Sequence, residues 1–271
     1  MAFIYLFIML SFPGGDRPTP AVYLETEAGK ILHSMHQNIQ DINFHSYRLK
    51  VEERRTDNTI HEAEMLIEVQ NRPLKVQVEA IKPNKGTLIQ YDETANTDEA
   101  VVIPSKWVPA VKFNEDIHGK VLRRGHYAVT ETSLCYFDKV IRRLEETFVQ
   151  NEAYGENVRY LRDEMVEGLP CYRIELSDPS YRIVSYTVKE GENLITIARK
   201  KLINPYKIRE LNPAIEDYYN IHAGQVIRIP TSYCKRCVVL LDKKHFLPRQ
   251  MEIYDEKGCF ERFVFSELVV N

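Results

Sequence analysis

The chain has 271 residues, 44% of them apolar and 28% charged, and carries a net charge of −3. That length supports a sizeable core in one or two domains, and the composition is that of a soluble globular chain, which excludes a disordered polymer and a bundle of membrane helices. No basic cluster interleaved with aromatics is present, so no nucleic-acid partner is expected.

The chain opens MAFIYLFIMLSFPGG, where the apolar run from Ala2 to Phe12 stops at helix breakers. It is too short to cross a hydrocarbon layer of about 30 Å. Residues 1–20 read as a signal peptide, although no Lys or Arg precedes the run and no small-x-small cleavage site follows it before Ala21. No cysteine precedes Cys135, so the acylated cysteine of a lipoprotein is absent and export without a lipid anchor is expected.

Ile31, Leu32, Met35, Ile39 and Ile42 then repeat at helical spacing, which predicts an amphipathic helix ending near Asn43. Strand signals follow at Phe44 to Glu53, Glu62 to Gln70, Leu74 to Ala80, Thr87 to Tyr91 and Ala100 to Ile103. The clearest is the third, where Leu74, Val76, Val78 and Ala80 alternate with Lys75, Gln77 and Glu79. One wet face and one dry face argue for antiparallel sheet. Turn residues sit at Asn71-Arg72-Pro73 and Pro83-Asn84-Lys85-Gly86. A second amphipathic helix is predicted between Ser133 and Gln150, since Phe137, Val140, Ile141, Leu144 and Phe148 follow a serine cap. Strands return at Val158 to Val166, Tyr172 to Ser177, Cys237 to Asp242, Arg249 to Tyr254 and Cys259 to Phe265, with Asp255-Glu256-Lys257-Gly258 turning between the last two.

Between those strands lies YTVKEGENLITIARKKLINPYKIRELNPAIEDYYNIHAGQVIRIP, residues 186–230. A short β-rich run, a glycine turn, a helix through Leu194, Ile195, Ala198 and Leu202, a second helix capped by Asn204-Pro205 and stopped by Asn212-Pro213, and a strand closed by Pro230 give the order βααβ. The Tyr-Thr-Val start, Gly191, Ile197-Ala198, Asn212-Pro213, Gly224-Gln225 and the Ile-Pro end resemble a complete LysM domain over about 45 residues. That resemblance implies a module for N-acetylglucosamine glycans such as peptidoglycan. Its groove would run between Gly191, Glu192, Asn193 and Leu194 on one wall and Asn212, Pro213, Ala214 and Ile215 on the other, with backbone groups holding the acetamides. Glu192-Asn193-Leu194 stands where the family commonly has Asp-Thr-Leu. The stretch carries seven Lys or Arg against five Asp or Glu, a net +2 that leaves −5 elsewhere.

A βααβ unit with paired strands brings its two ends side by side and can replace the tip of a hairpin. Tyr172 to Ser177 and Cys237 to Asp242 would be the arms of that hairpin. The order helix, meandering strands, helix, further strands, and the ending with Leu247-Pro248, Tyr254-Asp255, Gly258, Phe265, Leu268 and Asn271, resemble the LolA-like half-barrel family. The expected fold class is therefore α+β. A strongly curved antiparallel sheet with two amphipathic helices spans residues 21–180 and 235–271, and the LysM domain is inserted at 186–230. The resemblance implies an apolar concave face for helices or acyl chains, with Met65, Ile67, Val69, Leu74, Val76, Val78, Met251 and Ile253 as candidates to face a lipid; the competing reading is core beneath the helices.

Other constellations carry less. Cys234-Lys235-Arg236-Cys237 has redox or metal spacing but no second ligand pair and no following helix start. Five cysteines leave at least one unpaired in any disulfide scheme. His33 and His36 on the first helix, and Asp116, His118 and His126 in a loop-rich stretch, match no zinc-hydrolase spacing and read as solvated residues. The lone Trp107, in SKWVP, reads as core, with sugar stacking the alternative. No catalytic residue, metal ligand or cofactor is identified. The expected function is a non-enzymatic binding protein of the periplasm or cell envelope, with LysM on peptidoglycan and the half-barrel on a lipid, lipoprotein or protein partner; a LysM-targeted cell-wall hydrolase is the alternative.

Overall fold

The computed structural model describes residues 21–119 and 125–271; the expected signal peptide lies outside them. After a short 3₁₀ turn, helix α1 (Glu27–Asp41) begins where the Thr26 hydroxyl accepts a hydrogen bond from the Gly29 amide at 3.0 Å. Glu27 in the first turn suits the positive end of the helix dipole. Strands β1 (Phe44–Arg54), β2 (Ile60–Asn71), β3 (Leu74–Lys82), β4 (Leu88–Asp92), β5 (Glu99–Ile103) and β6 (Phe113–Asp116) follow as a meander. Helix α2 (Leu134–Gln150) is capped by Ser133, which accepts from the Cys135 amide. A single helical turn, α3 (Tyr154–Asn157), leads into β7 (Val158–Val166) and β8 (Leu169–Ser177).

The βααβ unit comprises β9 (Ile183–Thr187), α4 (Leu194–Lys201), α5 (Pro205–Leu211) and β10 (Val226–Pro230), and its two strands pair antiparallel. Leu202 is not the last helical residue but the cap of α4, in the left-handed region at φ 51°. Strands β11 (Arg236–Asp242), β12 (Pro248–Asp255) and β13 (Gly258–Val270) complete the chain.

All pairings in the large sheet are antiparallel, in the order β6-β5-β4-β3-β2-β1-β13-β12-β11-β8-β7. Strands β6 and β7 are its open edges. Strand β8 pairs directly with β11, Leu176 opposite Cys237 and Cys171 opposite Asp242. The whole βααβ unit is thus an excursion between two neighbouring strands. Strand β6 was not among the expected strands and falls in the stretch read as loop-rich; its exposed Phe113 and Asn114 show no buried alternation.

The sheet is curved. Strands lie about 4.8 Å apart, so β3 and β8, six places apart, would be separated by roughly 29 Å if flat. Yet Val76 and Val78 of β3 share one buried cluster with Ile174 and Leu176 of β8, through Leu32, Met35 and Ile39 of α1 and Phe137, Ile141 and Phe148 of α2. A second core, around Leu194, Ile197, Ile208, Ile227 and Ile229, belongs to the βααβ unit. Tyr206 of α5 belongs instead to the main core.

Candidate functional site

Gly191 turns the chain out of β9 with φ 75°, a conformation that costs an L residue about 1–2 kcal/mol. The Glu192 carboxylate folds back, accepting from the Tyr186 hydroxyl at 2.7 Å and the Lys189 amide at 3.0 Å, with Lys200 at 3.7 Å. Burial pushes that carboxyl up, but those three groups together hold it below its ordinary range. Asn193 and Thr196 exchange reciprocal capping bonds of 2.9 Å, satisfying the amides that open α4.

On the facing wall the Asn212 side chain donates to the Ile208 carbonyl at 2.6 Å and the Arg228 carbonyl at 2.8 Å, and accepts from the Arg228 amide at 2.9 Å. The Ile215 amide donates to the Asn212 carbonyl, while Pro213 and Ala214 are exposed. Leu194 and Ile215 are buried in one cluster, and the Leu194 amide donates to the carbonyl of Tyr218, three residues beyond Ile215, at 2.9 Å. The polar side chains of both segments, Glu192, Asn193 and Asn212, are spent on their own scaffold.

Of the candidates for a lipid-facing surface, Ile67, Val69, Val76, Val78, Met251 and Ile253 are buried in the main core and Met65 and Leu74 pack against it. Ile67 stands opposite Val78 and Val69 opposite Val76. All of them lie in the cluster that α1 and α2 share with the sheet.

Two histidines read as solvated are buried. His36 places Nδ1 on Asp138 and Nε2 2.6 Å from Glu145, whose other oxygen accepts from Tyr154. Two carboxylates on one ring require both nitrogens to carry hydrogen, so the ring is an imidazolium. Burial pulls its pKa down, but Asp138 and Glu145 outweigh that and raise it to about 9. His126 donates from Nδ1 to Glu261 at 2.6 Å and from Nε2 to the Arg54 carbonyl at 3.0 Å, and its amide donates to Glu53. Burial again opposes the charge, and Glu53 and Glu261 raise the pKa regardless. Among the described residues no group of His, Cys, Asp and Glu is arranged to hold a metal ion.

The CxxC thiols are buried too. All five cysteines are free thiols; burial lifts Cys237 to about 12 and Cys234 well above its ordinary range. A thiolate nucleophile is disfavoured there. Trp107 departs from expectation in the other direction and is 64% exposed.

Sequence reasoning missed the junction between the βααβ unit and the sheet. Lys207 of α5 is 2% exposed, with Nζ 2.6 Å from both Glu210 and Asp255 and 2.8 Å from Glu256. Arg54 pairs with Asp255 and lies 3.4 Å from Glu210, which also meets Lys257 at 3.1 Å. Three cations balance three carboxylates. Beside them Asn204 caps α5 and donates to Glu261 at 3.0 Å, and the Tyr206 ring stacks on His126 at 4.0 Å. A signal did exist: Glu53 continues the inward phase of Tyr47, Leu49 and Val51, and Glu261 that of Phe263 and Phe265. A carboxylate at an inward strand position demands a buried partner.

Among family models, that of the LysM domain matches residues 186–230. A second, described as Protein of unknown function (DUF1571), matches residues 42–195, from the end of α1 into the LysM segment. No curated protein matches the chain. Solved structures similar to it include LprF from Mycobacterium bovis, at 10% identity over 89% of this chain and 92% of that one with a TM-score of 0.43. A LolA superfamily protein from Nitrosomonas europaea is similar at 10% identity over 90% and 93%, with a TM-score of 0.29. The Pseudomonas aeruginosa MucA/MucB complex is similar at 10% identity over 91% and 58%, with a TM-score of 0.40.

Proposed function

The chain belongs to the family described as Protein of unknown function (DUF1571), and from its LysM domain we propose that it is a non-enzymatic binding protein of the cell envelope. In this reading residues 1–20 direct export, and the LysM domain at 186–230 holds peptidoglycan or a related N-acetylglucosamine glycan between Gly191–Leu194 and Asn212–Ile215. The discontinuous domain, residues 21–180 and 235–271, takes a lipid, lipoprotein or protein segment on its inward face. Met65, Ile67, Val69, Val76, Val78, Met251 and Ile253 are the surface such a ligand would meet, reached where α1 or α2 lifts from the sheet.

The observation that supports the glycan assignment is the LysM match over residues 186–230, in which Gly191, Pro213 and Ala214 are exposed and the polar side chains beside them are tied up in capping and cross-linking bonds. The test is cosedimentation of the full chain with purified peptidoglycan. Retention is expected for the native protein and loss of retention for Ala214→Trp, which places a large side chain at an exposed position of the proposed groove. A native chain that stays in the supernatant sinks the assignment. Native mass spectrometry of protein recovered from its own host tests the other half, by reporting the mature N-terminus and any lipid held with it.

A further inference from the structure

The segment that leads from β5 into the edge strand β6 is exposed without interruption from Lys106 to Asn114. Trp107 is 64% exposed, Val108 53%, Val111 56% and Phe113 42%. Single exposed apolar residues are ordinary, but four large ones within seven positions form a patch that marks an interaction surface. Tight turns at 105–108 and 108–111 hold the segment in shape, and it leans on the turn between β3 and β4. The Lys106 amide donates to the Gly86 carbonyl at 2.7 Å, and Thr87 Oγ1 donates to the Pro104 carbonyl at 3.0 Å. A Cβ on Gly86 would come within 2.4 Å of the Trp107 ring, so the indole lies across that turn.

The charges on these two loops have one sign. Lys82, Lys85, Lys106 and Lys112 fall within 82–87 and 104–113, and neither stretch contains Asp or Glu. Lys82 and Lys106 pair with Glu62 and Glu79 on the sheet; Lys85 and Lys112 are exposed and make no ion pair among the described residues. An indole, aliphatic tips and unpaired lysines on flexible stems are the side chains that suit the boundary between lipid headgroups and acyl chains.

We propose that residues 104–113 and the turn at 83–86 form a docking surface for an anionic lipid bilayer. Trp107, Val108, Val111 and Phe113 enter the headgroup layer, and Lys85 and Lys112 meet lipid phosphates. Apolar burial and attraction to anionic lipid act together in peripheral binding of this kind. The surface uses none of the glycan groove and stands independently of it.

Trp107 is the only tryptophan of the chain, so its emission reports its own surroundings. Full-length protein is titrated with vesicles of phosphatidylglycerol and phosphatidylcholine, and separately of phosphatidylcholine alone. Emission moving to shorter wavelength, with cosedimentation, is expected on the anionic vesicles. Lys85→Glu with Lys112→Glu weakens binding by roughly twenty-five-fold or more, each lysine near an anionic surface being worth about a factor of five. Val108→Asp with Val111→Asp removes the shift, and thermal melting shows that both variants stay folded. No shift on anionic vesicles overturns the proposal and assigns the patch to a protein partner. Cosedimentation without a shift, or an equal response on phosphatidylcholine alone, overturns it as well.

Discussion

Glu53 on β1 stands directly opposite Glu261 on β13, both carboxylates inward and both buried, with the His126 ring donating to Glu261 and the His126 amide to Glu53. Facing carboxylates repel in a dry interior, and burial accordingly raises the Glu53 pKa. The imidazolium is what makes the pair tolerable. Removing one partner of a buried ion cluster typically costs about 3–5 kcal/mol. His126→Phe keeps the ring stacked between Tyr206 and Phe260 and loses the charge. Urea unfolding of this variant should lose stability in that range, and most of it should return with Glu261→Gln added.

Lys207 binds the LysM domain to the tip of the β12–β13 hairpin. Lys207→Met leaves Glu210 and Asp255 with Arg54 and Lys257 only. A loss of about 3 kcal/mol or more is expected. Limited proteolysis should then cut near residues 178–182 and 231–235 sooner than in the native chain.

The His36 imidazolium gives stability a definite pH limb. Its folded pKa, about 9, is above the ordinary 6.5, so its contribution is complete below about pH 6.5 and is lost as pH rises through about 9. Melting temperature should fall between about pH 7 and 9.5, and His36→Gln should flatten that fall while lowering stability at pH 6. A native melting temperature constant across that range would refute the charged ring.

Asn212 makes three bonds that tie the end of α5 to β10, beside the proposed glycan site. Asn212→Ala leaves the Arg228 amide and two carbonyls without that side chain, a cost of about 1–3 kcal/mol. Peptidoglycan retention should weaken with it, whereas Asn193→Ala, which removes only a cap, should cost about 1 kcal/mol and disturb retention less.

Thiol labelling should separate the cysteines. Cys259 is exposed, with its pKa raised by burial and neighbouring carboxylates, and should react first though slowly. Cys234 and Cys237 should react only on unfolding. Rapid labelling of Cys234 in the native chain would revive a redox role for the CxxC.

Much of the fold was legible because it is written in local terms. Alternation along Leu74–Ala80 marks a strand with one dry face, Ser133 caps the second of the two helices that the apolar spacing predicts, and Asn204-Pro205 opens α5. The LysM segment was legible through its motif, and the neighbouring positions of β8 and β11 through the strands that flank it. The same local reading misplaced His36, His126 and Trp107. Helical or loop position alone does not report whether a side chain will find a buried partner or open solvent.

The sequence by itself determined the two helices, nearly every strand and the LysM domain, since periodicity, caps and turn residues act over a few neighbouring positions. Only the tertiary structure decided where the charges went. Arg54 meets Asp255 across 201 positions of sequence and His126 meets Glu261 across 135. A buried charge is affordable only when its counter-charge is delivered by the folded sheet, and no pattern within one element encodes that delivery.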